Sequence, residues 1–155
     1  PNCGDWRSYL EKNCPMHEFW NPIAREKHMF AEDDNPRVML DELRKQAQAG
    51  GAHGKAALKQ IQYIMRTKIM PNDTKGLHWC DCIVLYSKKN IRLWGSICEV
   101  YEVYTQGKPV YIISELPYSE MNNWEIGLAD EIWFSLHEAK EKLNQLLWHK
   151  RRTKS

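Results

Sequence analysis

The chain has 155 residues, 43% of them hydrophobic and 27% charged, a balance typical of one soluble globular domain. Its formal charge is +2, but four Lys and Arg side chains fall within residues 150–155, so the preceding body carries −2. A body with this charge and no basic stripe argues against a nucleic-acid-binding surface. We therefore predict a single domain over residues 1–149 and a basic carboxyl-terminal tail at 150–155, with no nucleic-acid partner.

Five cysteines without the regular spacing of a disulfide framework indicate a reducing compartment. No stretch approaches the roughly 20 apolar residues of a membrane span. The amino terminus also lacks a signal-peptide pattern. We expect a cytoplasmic protein with no membrane partner.

The amino-terminal segment alternates short apolar clusters with polar stretches. Asp5 is a candidate N-cap for a short helix that ends near Asn13–Pro15. The buried side of that helix is expected to be formed by Trp6, Tyr9 and Leu10. Glu18–Trp20 is predicted to be a short strand, and residues 23–36 a long loop with one helical turn.

Two helices are predicted next, over Arg37–Ala49 and over about Lys55–Lys68. The glycine cluster Gly50–Gly54 is too short and irregular for a phosphate loop, and we interpret it as a flexible connection. A further short segment leads from Asn72 to Trp79. The residues expected to face inward are Val38, Leu40, Leu43 and Ala47 in the first helix and Leu58, Ile61, Ile64 and Met65 in the second.

The central stretch, Asp81–Ile113, predicts a strand, a helix and a second strand. Cys82–Tyr86 and Val110–Ile113 are near-continuous apolar runs, typical of strands covered on both faces. Gly95 and Ser96 open the helix between them, and Gly107 supplies its left-handed end. In a parallel βαβ unit, ligands bind beyond the carboxyl ends of the strands, which is where Glu99, within the first turn or so, is expected to lie.

After the central stretch, residues 121–130 indicate a short helix or turn and Glu131–Phe134 a last strand. Ser135–Glu138 fits a capping box at the start of an amphipathic closing helix. The alternation of strands and helices predicts a three-layer α/β sandwich with a mostly parallel, flavodoxin-like sheet of about five strands. Such a fold normally begins with a central strand, and no apolar run precedes Trp6. We therefore expect that strand to be missing from the sequence or supplied from elsewhere.

Three carboxylates, Asp73, Asp81 and Glu99, flank the central stretch. Paired carboxylates carry out glycosidic chemistry, in which one attacks or stabilises the anomeric carbon and the other handles the proton of the leaving group. Backbone N–H groups at Gly95 and Ser96 would suit a hydroxyl or a phosphate. From spacing alone, a capping or dipole role for these carboxylates is the more common one.

The runs NDTKGLHWCDCIVLY, GSICEVYEVYTQGKPVYII and MNNW resemble the nucleoside 2-deoxyribosyltransferase family, which is related to nucleotide N-glycoside hydrolases. The family pattern combines an Asn-Asp pair, an Asp before a buried strand, and Gly-Thr or Gly-Ser shortly before a Glu, followed by Gly-Lys-Pro-Val. The opening GDWRSYLE resembles the helix that follows the first loop in phage and bacterial members. The similarity covers most of the chain and is tightest over residues 69–113.

The resemblance implies that Glu99 is the nucleophile that attacks C1′ of a 2′-deoxynucleoside and holds a covalent deoxyribosyl intermediate. Asp73 corresponds to an aspartate that helps handle the base and its proton. Asp81 matches a strand-leading aspartate, for which a structural role is the favoured interpretation and a substrate contact the alternative. Asn122 or Asn123 corresponds to an asparagine that reaches the sugar 5′-hydroxyl, commonly in the site of a neighbouring subunit.

The resemblance also implies a homo-oligomer that uses no metal or organic cofactor, with a nucleoside or nucleotide and a free nucleobase as partners. Trp94, Gly95 and Ser96 would contact the substrate, and for Trp94 stacking on a base and packing are equally reasonable. A hydrolase of nucleosides or nucleoside 5′-monophosphates is the first alternative, since Ser96 would suit a phosphate. A non-catalytic nucleotide-binding domain is the second. Leu93 motivates it, because clear transferases often carry a carboxylate at that position.

A zinc site built from Cys80, Cys82, Cys98 and His78 is the other chemistry that the sequence suggests. The two-residue spacing of Cys80 and Cys82 lacks the usual C-x-x-C knuckle, and both lie in a strand-like stretch. Buried thiols are the better interpretation.

Overall fold

The computed structural model describes residues 6–26, 36–89 and 94–152. The chain divides into two compact units, one made of Pro1–Phe19 with Cys80–Ser155 and the other of Trp20–Trp79. We call them the sheet unit and the helical unit. The sequence predicts one domain over residues 1–149, whereas the contacts within the chain group into these two units. Asp5, the predicted N-cap, lies outside the described residues.

Eight α-helices, one π-helical turn, one 3₁₀ turn and three strands make up the described part of the chain. In chain order they are α1 (Trp6–Asn13), α2 (Pro22–Glu26), α3 (Pro36–Ala49), α4 (Gly51–Ile64), the π-helical turn (Met65–Ile69), α5 (Met70–Trp79), β1 (Ile83–Ser87), α6 (Trp94–Thr105), β2 (Val110–Ser114), the 3₁₀ turn (Tyr118–Glu120), α7 (Asn123–Leu128), β3 (Glu131–Trp133) and α8 (Leu136–Arg152).

The sheet unit is an α/β fold with a three-stranded parallel sheet in the order β1-β2-β3. Leu85 of β1 pairs with Ile112 of β2, which in turn pairs with Ile132 of β3. All five residues of β2 are buried, as expected for a central parallel strand with helices on both faces. The predicted strands at 82–86, 110–113 and 131–134 are therefore confirmed to within a residue or two.

One face of the sheet packs against α1 and α8. Its buried cluster joins Tyr111, Ile113 and Trp133 of the sheet to Leu10 of α1 and Leu143 of α8. Successive strand residues point to opposite faces, so alternate positions of β1 and β2 supply this cluster. The predicted apolar side of α1 is confirmed, since Trp6 and Tyr9 pack against the same cluster.

The other face is covered by α6, which contacts β1 and β2 and lies beside α7. Val100 and Val103 of α6 are fully buried. The helix ends at Gly107, whose φ of 68° is the left-handed conformation expected from the sequence. The Tyr101 ring meets the Trp124 ring of α7 edge-on, with 6.2 Å between centroids, which fixes the side of α6 that faces α7.

The helical unit is built on a hairpin of α3 and α4. Gly50 and Gly51 form its turn with φ values of 78° and 67°. Gly54 is buried inside α4, where a Cβ would lie 3.0 Å from the carbonyl oxygen of Ala47. The predicted flexible connection is therefore wrong, because these glycines start a helix and let two helix backbones approach closely.

The buried side chains of the hairpin differ in part from those predicted. The core of the hairpin contains Leu40, Leu43, Ala57, Ile64 and Ile69. Val38 and Leu58, predicted to face inward, are 64% and 48% exposed. The other predicted apolar positions on α3 and α4 pack in or against this core, namely Leu40, Leu43, Ala47, Ile61, Ile64 and Met65.

Residues 18–20, predicted to form a strand, have no regular structure, and the Trp20 side chain packs against its neighbours instead. Helix α2 follows at Pro22. The Trp20 ring lies 5.7 Å from the Trp79 ring, and the Arg25 guanidinium lies 3.8 Å above it. Gly76 is buried directly against the same indole. The strand prediction is wrong because these aromatic residues serve packing rather than strand pairing.

The closing helix, α8, begins as the sequence predicts. The Ser135 hydroxyl accepts a hydrogen bond from the Glu138 backbone N–H at 3.1 Å. The Glu138 carboxylate accepts one from the Phe134 N–H at 2.9 Å, one residue earlier than in a standard capping box. The helix continues through Arg152, so the predicted basic tail begins within it. None of the helices in the described residues combines the length and apolar character needed to cross a membrane.

Replacing Tyr111 by phenylalanine is expected to make the stability of the protein less sensitive to alkaline pH. Burial raises the pKa of Tyr111 above 10.0, and the nearby Cys82 and Glu131 act in the same direction. The unfolded chain therefore loses this proton first, and the free energy of unfolding falls as pH rises above about 10.

The measurement is the urea midpoint at about pH 8 and about pH 10.5, which bracket the ordinary phenol pKa. Tyr111→Phe should show the smaller drop between the two. Tyr63→Phe, at an exposed position, should drop as the unmodified protein does. Identical drops in all three proteins would contradict the role given to Tyr111.

Candidate active site

Glu99 is the sixth residue of α6 and is half-buried. Because α6 follows β1, the start of the helix lies at the carboxyl edge of the parallel sheet. Successive helix residues are about 100° apart, so Glu99 lies about 160° around the helix from Tyr101 and flanks the buried side at Val100 and Val103. Tyr101 faces α7, so Glu99 lies on the flank of α6 that faces away from α7.

That flank borders β1, which is the outer strand of the sheet within the described residues. The carboxylate of Glu99 is thus attached to a rigid helix near the carboxyl edge of the sheet, at an outer strand. A half-buried carboxylate in such a position is partly desolvated yet reachable from solvent, as a nucleophile must be.

The residues at the start of α6, which are predicted to contact the substrate, differ in exposure. The helix begins at Trp94, one residue before the predicted Gly95. Gly95 is exposed, and outside its own helix no atom of the described residues lies within 4 Å of the place a Cβ would take. Ser96 is half-buried. The Trp94 side chain lies outside the described part of the structure, so the predicted stacking role stays a prediction.

Asn122 is the N-cap of α7. Its Oδ1 accepts a hydrogen bond from the Trp124 N–H at 2.8 Å, and its own N–H donates to Glu125 Oε2 at 3.0 Å. Asn123 is the first helical residue and is exposed. Both follow the loop after β2, so they lie at the carboxyl edge of the sheet. The capping oxygen of Asn122 is engaged, which leaves its amide NH₂ as the group that could meet a sugar hydroxyl.

Two substitutions at Asn122 separate capping from substrate binding. Asn122→Ala should lower the free energy of unfolding by about 1 kcal/mol, because the cap is lost. Asn122→Asp should keep the cap and stay within about 0.5 kcal/mol of the unmodified protein. If the amide donates to substrate, Asn122→Asp should still lower the rate of base exchange about tenfold.

Urea denaturation and an exchange assay on the same preparations provide the measurements. Asn123→Ala is the matched control for stability, because this neighbouring exposed residue contributes no cap, and a loss of exchange in it would assign the sugar contact to Asn123. Full exchange activity in Asn122→Asp would leave Asn122 with a capping role alone.

Asp81 lies at the opposite end of β1 from the start of α6. It is exposed and precedes Ile83 by two residues, so it is at the amino edge of the sheet. The strand from Ile83 to Ser87 spans about 13 Å at 3.3 Å per residue. The sheet therefore separates Asp81 from the carboxyl edge, where α6 and α7 begin.

Asp73 belongs to the helical unit, whereas Glu99 belongs to the sheet unit. It is half-buried near the start of α5, where the helix continues without a break from α4 and the π-helical turn. Its Oδ1 lies 3.5 Å from the Asn72 side-chain amide. The role in proton handling implied by the resemblance stays a prediction.

Buried polar groups at the carboxyl edge are the features that the sequence reasoning missed. Ser87 and Ser114 end their strands as paired neighbours, and each is 1% exposed. The Ser114 hydroxyl bonds to the backbone of Leu116. Among the described residues, three side-chain atoms are buried without a hydrogen-bond partner, namely Ser87 Oγ and Glu125 Oε1 here and Trp20 Nε1 in the helical unit. Polar residues at the ends of the apolar runs, and the Asn122-x-x-Glu125 capping pattern, were the available signals.

Polar contacts also link the loops at this edge. The Tyr86 hydroxyl donates to Glu115 Oε1 at 2.7 Å, and the Glu115 N–H donates to the Ser87 carbonyl at 3.0 Å. Lys89 and Glu120 form an exposed ion pair at 3.1 Å, which contributes little to stability. The ends of β1 and β2 are thus held by a defined hydrogen-bond network.

The cysteines differ in exposure. Cys80 and Cys82 are half-buried, while Cys98 is exposed, so the predicted burial of Cys98 is wrong. Cys98 lies one residue before Glu99, on the solvent side of α6. Burial raises the pKa of Cys80, although Lys108 acts against it, so this thiol stays protonated at neutral pH. Among the described residues, no three His, Cys, Asp or Glu side chains form a group able to hold a metal ion.

Comparisons with protein-family models, with curated proteins and with solved structures gave no match. Any functional assignment therefore rests on the residues of this chain and on their geometry.

Proposed function

We propose that the protein transfers the 2-deoxyribosyl group between nucleobases through a covalent intermediate on Glu99. The observation that carries the proposal is the position of Glu99, half-buried on the flank of α6 that borders β1. A helix after the first strand of a βαβ unit is the usual source of groups that meet a ligand at the carboxyl edge.

In the proposed reaction, a carboxylate oxygen of Glu99 attacks C1′ of a deoxynucleoside. The C1′–N bond breaks, its electron pair leaves with the base nitrogen, and that nitrogen takes up a proton. A second nucleobase then gives up the corresponding N–H proton as it attacks C1′ and displaces Glu99, which restores the carboxylate. Two inversions at C1′ retain the configuration of the sugar.

The fold that we propose for this activity is a flavodoxin-like sheet of about five strands. The order β1-β2-β3 supports it, since three successive parallel strands lie side by side in the second half of the 2-1-3-4-5 arrangement. In that arrangement the ligand crevice lies at the strand-order reversal, next to the strand that corresponds to β1. Glu99 is on the side of α6 that borders this strand.

The proposal includes a cytoplasmic homo-oligomer whose sites are completed by a neighbouring subunit. Tyr101, Tyr104 and Trp124 support it, because they form an aromatic cluster across α6 and α7 and are 49%, 50% and 56% exposed. Asn122 and Asn123 lie at the amino end of α7, next to Trp124. They would be presented to a neighbouring site together with this cluster.

The test is incubation of the purified chain with one deoxynucleoside and a second, free nucleobase, followed by chromatography. The proposal expects a new deoxynucleoside containing the second base. Release of the first base without exchange would assign hydrolysis instead, especially with a preference for a 5′-phosphate. Ligand binding by calorimetry with no turnover of any nucleoside or nucleotide would assign a non-catalytic binding domain.

A further inference from the structure

A groove of about 440 Å³ opens on the helical unit where the π-helical turn meets α5. The groove is lined by Thr67, Lys68, Pro71, Asn72 and Lys75. Lys68 and Asn72 are half-buried and Lys75 is exposed. Two ammonium groups and one side-chain amide therefore line a single concave surface.

Pro71 explains why the helix changes its geometry here. Proline has no backbone N–H, and its ring clashes with the carbonyl group four residues earlier in an α-helix. The chain widens into the π-helical turn, in which the Met70 N–H bonds to the Met65 carbonyl five residues back. Single π-helical turns of this kind occur frequently at functional sites.

The helical run that carries the groove is rich in positive charge. Residues 51–79 contain five Lys or Arg side chains and a single carboxylate, which gives this stretch a formal charge of +4. Among the described residues that line the groove, none carries a carboxylate. Lys68 and Lys75 are two helical turns apart, about 10 Å along the axis, so their flexible ammonium groups can converge on an anion between them.

Asp73, the one carboxylate of this stretch, stands next to the groove and fills no part of its lining. Its Oδ1 accepts a hydrogen bond from Asn72 Nδ2 at 3.5 Å, which uses one of the two N–H groups of that side-chain amide. The second N–H of Asn72 remains a donor for the groove. The negative charge of Asp73 would weaken the binding of any anion by repulsion. Removing that charge is therefore expected to strengthen binding, whereas removing a lysine weakens it.

We propose that this groove binds the phosphate group of a small phosphorylated ligand, such as pyrophosphate or a nucleoside phosphate. Lys68 and Lys75 neutralise the phosphate charge, and Asn72 donates a hydrogen bond to a phosphate oxygen. The inference goes beyond the proposed base exchange, which needs no phosphate and depends on Glu99 in the other unit. The phosphate-binding proposal can therefore be wrong while the base-exchange proposal holds, and the reverse.

The experiment is a titration of the isotope-labelled full chain with inorganic pyrophosphate, followed by backbone amide NMR. A nucleoside monophosphate and the same nucleoside without phosphate are titrated in parallel. Pyrophosphate and the monophosphate should shift the amide signals of residues 67–75, and the nucleoside alone should leave them unchanged. Absence of shifts with both phosphates would overturn the proposal.

Two double variants test whether binding depends on the two groove lysines or on the overall positive charge of this helical run. The double variant Lys68→Gln with Lys75→Gln should lose about tenfold or more in affinity. The control, Lys55→Gln with Lys59→Gln, removes the same charge from exposed positions of α4 and should lose less than about twofold. Equal losses in both doubles would overturn the proposal.

A further variant guards against misfolding of the lysine double. Asp73→Asn should bind pyrophosphate several-fold more tightly, since it removes the repelling charge and keeps the side-chain shape. Unchanged or weaker binding in a folded Asp73→Asn protein would contradict an anion in this groove.

Discussion

Replacing Glu99 by glutamine is expected to lower the rate of base exchange by at least about 10³-fold while the chain stays folded. The amide keeps the size of the side chain but has no anionic oxygen to form a bond with C1′. The substitution also removes a charge from a half-buried position without leaving a cavity. The measurement is the initial rate of formation of the new deoxynucleoside, with the thermal midpoint as the check on folding.

Glu102→Gln is the matched control for this loss. Glu102 is exposed one turn further along α6, and its carboxylate accepts a hydrogen bond from Gln106 Nε2 at 3.2 Å. Its removal should leave the rate within about twofold, because a surface helix contact of this kind has little effect. A full rate in Glu99→Gln, or equal losses in the two variants, would remove Glu99 from the mechanism. Formate that restores part of the rate to Glu99→Ala would identify a lost nucleophile.

Gly76→Ala is expected to destabilise the helical unit by about 2 to 3 kcal/mol, although alanine is the better helix former. A Cβ at this position would overlap the Cδ1 and Nε1 atoms of Trp20. The indole also contacts the Arg25 guanidinium and the Trp79 ring, so a shift away from Gly76 would disturb both contacts. The measurement is the urea midpoint followed by circular dichroism.

Gly127→Ala, at an exposed position of α7, is expected to stabilise the chain. Outside its own helix no atom of the described residues lies within 4 Å of the place its Cβ would take. Helix propensity alone then acts, and the free energy of unfolding should rise by up to about 1 kcal/mol. Shortening the opposing side chain in the double variant Gly76→Ala with Trp20→Leu should recover part of the loss. A Gly76→Ala protein as stable as the parent would rule out the close packing of Trp20 on Gly76.

The strand-helix-strand centre was predictable because its signals are local. Two short, near-continuous apolar runs joined by a stretch with helical spacing are typical of strands in a parallel βαβ unit, and β2 is buried along its whole length. Gly107 occupies a conformation that other residues rarely adopt, so its identity alone marks the helix end. The position of Glu99 on α6 follows from these boundaries.

The helical unit was harder to predict because packing overrides its local signals. Gly50, Gly51 and Gly54 look like a flexible linker, yet only the first two form a turn, and the third allows α3 and α4 to approach. The start of α4 lies four residues earlier than predicted, and its apolar stripe includes Ala57 and Ile64 while Leu58 is exposed. Ala57 and Leu58 are adjacent and both apolar, so the sequence pattern alone does not decide which of them faces the core.

The candidate site shows both kinds of outcome. That Asp81 and Glu99 belong to opposite ends of the sheet could have been inferred, because a residue before a strand lies at its amino edge. The unpaired oxygens of Ser87 and Glu125 could not, since burial and hydrogen-bond partners depend on how α7 packs. The capping role of Asn122 could be predicted from its spacing to Glu125. Its proposed contact with substrate is tested by Asn122→Asp.

The division into two units has a consequence for how the chain acquires its structure. The sheet unit is discontinuous in sequence, since Trp20–Trp79 is inserted between Phe19 and Cys80. Contacts such as Asn144 Nδ2 to the Asn13 carbonyl join residues 131 positions apart, so this unit loses more loop-closure entropy than a local hairpin does. The α3–α4 hairpin needs only near neighbours in the chain. During synthesis on the ribosome the hairpin residues emerge before α8, so α1 cannot pack against α8 until that helix has emerged.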